Sequence, residues 1–206
     1  MKTYIRTIQF MQKLALGISI AIMMILPLII VFYPDMLSEQ TTLRLYDISH
    51  IAVFLVMIVR PLADIFIQST LIRPLVILRK GVGVFSASIV VSFILAKIIM
   101  DPAGYFQSIG TAQYWSLENF ALLAHLGDIS AILLIVTSNN LSKRILGSAW
   151  KMIQKLSYVY FYASSLYVFL VFNDNTMLLS MLIVTILTCG AYVKNKERAA
   201  RNTIPL

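Results

Sequence analysis

One cysteine in 206 residues, Cys189, excludes an internal disulfide, a thiol pair and a CxxC redox site. No GxGxxG or GxxxxGK[ST] run is present to cradle phosphates, and no HExxH pair is present to hold zinc. Polar sequence is scarce as well. Stretches outside the apolar runs are short, as at Pro34–Tyr46, Asp101–Trp115 and Gln68–Lys80, which leaves no length for a soluble catalytic or nucleotide-binding domain.

Apolar residues fill the rest, at 59% of the chain. A hydrocarbon layer ~30 Å thick requires ~20 mostly apolar residues in a helix, because backbone polar groups must be satisfied within the segment. Six runs meet that need: Leu14–Tyr33, Tyr46–Ile67, Gly81–Met100, Glu118–Thr137, Met152–Phe172 and Met177–Val193. Their continuity opposes the alternation of a membrane β-barrel. Pro27 and Pro61 fall inside two of them, where neighbouring helices can absorb the lost backbone bond. The expected fold is an all-α integral membrane protein, one domain of six transmembrane helices over residues 1–206.

The charges are sorted by sign. Fourteen of the seventeen basic residues precede the first run, lie between runs two and three, lie between runs four and five or in the first turn of the fifth, or follow the sixth. The opposite loops carry Asp35, Glu39, Asp47, Asp101, Glu118 and Asp174, with Arg44 as their one cation. Basic loops stay on the cytoplasmic side during insertion, so both termini are expected there, in a plasma (inner) membrane. The formal charge of +8 then reflects topology and anionic headgroups, not nucleic acid. The first run follows a basic start but lacks a small-residue cleavage site, so it is expected to remain as a signal anchor. Lys143–Lys155 suits a segment lying along the inner surface, apolar side chains inward and lysines towards headgroups, with docking of a cytoplasmic partner as the alternative. Residues 194–206 are expected to form a short, solvated cytoplasmic tail.

Small residues recur where helices should approach closely: Ser88, Ser92 and Ala96 in the third run, and Ala124, Gly127 and Ala131 in the fourth. Polar residues inside the bilayer carry more information, since a charge at mid-depth costs ~2.5–3.5 kcal/mol unless it finds a partner or water. Five stand out: His50, Arg60, Lys97, His125 and Asp128. His125 and Asp128 share a helix face at a three-residue spacing, and Asp47 and His50 repeat it, so each carboxylate could orient its histidine. If the two faces meet, His50 and His125 would form a bis-histidine haem b site or a proton-accessible polar cavity. The plainer reading pairs Arg60 with Asp128 or with Asp64 one turn on, lets Lys97 snorkel, and bonds the histidines to backbone. Pro61, between Arg60 and Asp64, frees carbonyls nearby.

Three segments resemble the ferric-reductase-like transmembrane domain, the family of the haem-binding membrane subunit of bacterial methionine sulfoxide reductase, NADPH oxidases and STEAP metalloreductases. They are Leu78-Arg79-Lys80-Gly81-Val82-Gly83; Gly127-Asp128-Ile129-Ser130-Ala131 through Thr137-Ser138; and Arg144-Ile145-Leu146-Gly147 with Trp150, Leu156 and Tyr158. The resemblance covers half to two-thirds of the chain in the family's order. It implies haem held between histidines of the third and fifth helices and electrons drawn from a cytoplasmic donor. The corresponding positions here are Ser92 or Phe93, Gln154, and Tyr167 or Val168, none of them histidine. The resemblance therefore implies the scaffold without its ordinary haem ligands, with a cavity lined by Ser88, Ser92, Tyr158, Tyr162 and Tyr167.

Two functions are consistent with these residues. One is a transmembrane electron-transfer subunit with a relocated or altered cofactor site, His50 and His125 serving as ligands or proton carriers. The other is a cofactor-free membrane scaffold, or a partner subunit of a larger membrane complex. A transporter would route a polar path along Arg60, Lys97, His125 and Asp128, but no repeat of the first three helices in the last three is evident.

Overall fold

The computed structural model describes residues 2–202, and no strand occurs among them. Ten α-helices follow one another: α1 (Lys2–Phe32), α2 (Glu39–Ile65), α3 (Ile72–Leu75), α4 (Leu78–Met100), α5 (Pro102–Ile109), α6 (Ala121–Thr137), α7 (Asn140–Leu146), α8 (Ala149–Ile153), α9 (Leu156–Phe172) and α10 (Asn175–Asn202). Five helical segments are long and apolar enough to cross a membrane, and six if α6 is counted with α7, from which it bends by 96°. The fold is an all-helical bundle of multi-pass membrane type.

α4 is its axis. It packs against α1, α2 and α6, while α9 packs on α6 and α10, and α10 also on α2. Half of α4's most apolar window is buried, against 11% for α1, which presents one face to α4 and the rest outward. Small residues make this possible, as their spacing suggests. Ser86, Ser88, Ser92 and Ala96 of α4 are fully buried. Ser92 Oγ donates to the Ser88 carbonyl at 2.7 Å, which satisfies its hydroxyl inside apolar surroundings. It also reaches the Ile22 carbonyl of α1 at 3.3 Å. At Gly81 a Cβ would stand 2.9 Å from the Gln12 carbonyl oxygen, so glycine permits the closest approach of α1 to α4. In α6, Gly127 and Ala131 are buried, Gly127 against Ser164 of α9.

Two elements differ from expectation. α1 begins at Lys2, because nothing in its basic first turns breaks a helix that the apolar turns already propagate. The segment after Val193 is not a loose tail: α10 runs to Asn202. Arg198 anchors it by donating from Nη1 to the Asp64 carbonyl at 2.7 Å, with Nη2 3.4 Å from the Ile65 carbonyl. A cation thus sits at the C-terminus of α2, where orphan carbonyls and the helix dipole favour it. Lys194, one turn earlier, lies over the Phe66 ring at 5.9 Å. Residues 203–206 of the expected tail lie outside the described residues.

Candidate functional site

Three hydroxyls meet at the centre of the bundle. Ser49 of α2 donates to the Ser86 carbonyl of α4 at 3.0 Å, and Ser86 donates back to the Ser49 carbonyl at 2.8 Å. With both serine protons directed to carbonyls, the Tyr160 hydroxyl of α9 donates into the pair, 3.1 Å from Ser49 Oγ and 3.0 Å from Ser86 Oγ. All three residues are buried. A closed network of this kind ties α2, α4 and α9 together at one register, since any slip would leave a hydroxyl unpaired in a low dielectric.

Beside Tyr160 a cavity of about 610 Å³ opens towards the basic end of the bundle. Arg60, Arg79, Lys80, Lys143 and Lys151 line it, and no acidic side chain does. Arg79 is half-buried and fixed: its Nε donates to the Val56 carbonyl of α2 at 3.1 Å, in the turn before Pro61. Pro61 has no N–H to give the Met57 carbonyl, which loosens the turn next to the Val56 carbonyl that Arg79 reaches. Arg60 pairs through Nε with Asp64 Oδ2 at 3.1 Å, and its side chain remains 56% exposed. Trp150 closes the far wall, donating from Nε1 to the Thr137 carbonyl at 2.9 Å while the Lys143 ammonium lies 5.4 Å from its ring centre. Gln154 donates to Thr137 Oγ1 at 3.3 Å. α7 and α8 reach this wall through a turn at Gly147, whose φ of +51° lies where side-chain-bearing residues are strained.

The opposite end is built from rings. Tyr46 stacks on Phe93 with centroids 4.8 Å apart. Tyr114, from the loop after α5, stacks on His125 at 3.4 Å and 9°. Burial pushes the Tyr114 phenol up to about 12, and Tyr105 beside it adds to the rise, so this lid over His125 stays neutral. The loop itself is ordered by Asp101, whose carboxylate accepts from the Gly104 amide at 2.9 Å and caps α5, and by Trp115, whose Nε1 donates to the Ile109 carbonyl at 2.8 Å.

The five polar residues singled out from the sequence are not gathered into one site. His50 Nδ1 donates to the Tyr46 carbonyl at 2.9 Å, one turn back on α2, in place of a contact with Asp47. Its Nε2 is buried with no partner, as is Nδ1 of His125. Lys97 is exposed in the last turn of α4, and Asp128 is half-buried on α6. Arg60–Asp64 is the one ion pair within 4 Å among the described residues, so neither Arg60 nor Lys97 closes on Asp128. A haem held by His50 and His125 does not fit this arrangement. α2 and α6 make no extensive contact with each other, each packing mainly on α4 and α9, and neither histidine lines the cavity. No group of three or more His, Cys, Asp or Glu side chains suited to a metal ion occurs among the described residues.

The cavity expected along Ser88, Ser92, Tyr158, Tyr162 and Tyr167 is likewise not formed by those residues. Ser88 and Ser92 are buried, with Ser92 turned to α1, and the Tyr162 hydroxyl lies 2.8 Å from Thr185 Oγ1 of α10. The cavity of about 610 Å³ lies nearer the basic end, and Arg79, read from the sequence as a topogenic loop charge, is part of its wall. No sequence signal marked it, because a cation entering a helix after a basic loop reads as topology. No family model, curated protein or solved structure matches this chain.

Proposed function

We propose that the chain is a six-span plasma-membrane protein with both ends in the cytoplasm, related to ferric-reductase-like transmembrane domains but serving without haem as a scaffold or partner subunit of a membrane complex. α6 is the short span, and α7 and α8 lie along the cytoplasmic surface. The topology rests on the sorting of basic residues. The reading without haem rests on one observation: the cavity between α4 and α9 is lined by no histidine, cysteine or methionine, and its one phenol, that of Tyr160, is bonded to Ser49 and Ser86. Phe161, fully buried one residue on, fills the same region of the core.

A second reading, electron transfer through a relocated site, is favoured by the two unpartnered imidazole nitrogens, since orphaned buried polar atoms often mark an unassigned ligand. An oxidised-minus-reduced spectrum with a pyridine haemochrome assay separates the two. Protein purified in mild detergent from haem-replete cells is expected to give no stoichiometric b-type signal. A stoichiometric signal that disappears in His50→Ala or His125→Ala would overturn the scaffold and establish the redox subunit.

A further inference from the structure

The geometry points to a phosphoryl-binding site in the cavity at the basic end, in which the free guanidinium forks of Arg60 and Arg79, with Lys80 and Lys151 at the rim, hold the phosphate group of a lipid headgroup or of a soluble phosphate ester. The sorting of basic residues in membrane proteins explains why cations collect at this end, but not why one of them is held in a cavity. A cation serving topology alone would extend its stem and place its charge in the headgroup layer. Arg79 is prevented from doing so: the Nε bond to the Val56 carbonyl holds the guanidinium against α2. Arg60 is tethered in the same manner, Nε to Asp64. Each therefore spends one donor on the protein and keeps its two terminal nitrogens, the pair that matches two oxygens of a phosphate.

The surroundings agree with that chemistry. Five basic side chains line the cavity and only Arg60 has a carboxylate partner within 4 Å, Asp64, so much of their mutual repulsion is left to an anion or to solvent screening. The volume of about 610 Å³ lies within the ~300–1,000 Å³ of small-molecule sites. The inner wall is apolar, with Val53, Val56 and Ala87 leading to Tyr160, so the substituent of a phosphate ester or the glycerol of a lipid could follow the headgroup inward. Basic cavities between helices near a membrane surface are a known way to hold anionic headgroups.

Trp150 lines the cavity and provides the reporter, because Trp115→Phe leaves it the sole tryptophan. The full chain carrying that change is purified in dodecyl maltoside and titrated with short-chain phosphatidic acid, short-chain phosphatidylcholine or inorganic phosphate, and Trp150 fluorescence is followed. A saturable change with phosphatidic acid but not phosphatidylcholine is expected, weakening with added salt and by about tenfold in Arg60→Gln and in Arg79→Gln. Lys196→Gln, on α10, which contributes no residue to the cavity lining, should bind like the parent. Saturation by phosphatidic acid alone assigns the ligand to the bilayer, whereas saturation by inorganic phosphate as well shows that the phosphoryl group suffices; both support the site. If Arg79→Gln fails to fold because Val56 loses its donor, Arg60→Gln and Lys151→Gln decide, since neither residue reaches another helix. No saturable change with any of the probes, equal binding of phosphatidylcholine, or binding unmoved by the cavity variants would overturn it.

Discussion

The two ends of the bundle solve the same problem, polar groups in an apolar protein, by different means. At the basic end, side chains cap backbone: Arg79 satisfies Val56, Arg198 satisfies Asp64 and Ile65, and Trp150 satisfies Thr137. At the other end, rings cover side chains: Tyr46 lies on Phe93 and Tyr114 on His125, and two imidazole nitrogens are left without partners. Backbone geometry follows the same division. The basic end puts glycine at its left-handed turn, Gly147, whereas the opposite loops place Phe120 and Asn173 at positive φ. Capping a carbonyl fixes a helix register, since a charged hydrogen bond contributes about 1.5–3 kcal/mol. Stacking contributes about 0.5–1.5 kcal/mol and tolerates sliding. The charged hydrogen bonds from one helix to another, those of Arg79 and Arg198 to α2, therefore belong to the end that carries the cavity.

Substitutions should separate the two ends in proportion. The largest effect is expected for Gly81→Val, which drives a side chain into the Gln12 carbonyl at the α1–α4 crossing. A loss of about 3 kcal/mol or failure to fold is expected, read as thermal stability in detergent. Arg79→Leu should cost about 1–3 kcal/mol by leaving the Val56 carbonyl without its outside donor. Tyr160→Phe should cost about 1 kcal/mol, because Ser49 and Ser86 still satisfy each other when the third hydroxyl is gone. At the ring-covered end, Tyr114→Ala should cost about 0.5–1.5 kcal/mol. Equal costs for Arg79→Leu and Tyr114→Ala would erase the distinction between the ends.

The spans were legible because twenty apolar residues in a row leave a helix few alternatives, and Gly81–Met100 differs from the observed α4 by three residues at its start. Local pairs were legible too: Arg60 and Asp64, one turn apart, do bond. Contacts between helices were not. The three-residue spacing of His125 and Asp128 places both on one face, but which helix that face meets depends on crossing angles that no periodicity specifies. Ser49, Ser86 and Tyr160 stand 37 and 74 residues apart along the chain and gave no signal beyond being hydroxyls in apolar runs. Arg79 and Arg198 looked like topogenic charges because sequence carries no mark of a carbonyl waiting for a donor on α2.

The central claim is that the basic end, with its cavity, faces the cytoplasm and that the ring-covered end faces away. Cysteine labelling tests it most directly. In a Cys189→Ala background, Asn140→Cys at the cavity and Gln107→Cys on α5 are exposed to a membrane-impermeant maleimide in right-side-out and inverted membrane vesicles. Asn140→Cys should label only in inverted vesicles and Gln107→Cys only in right-side-out ones. The reverse pattern, or labelling of both from the same side, would contradict the topology and, with it, a cavity that receives its ligand from the cytoplasmic face.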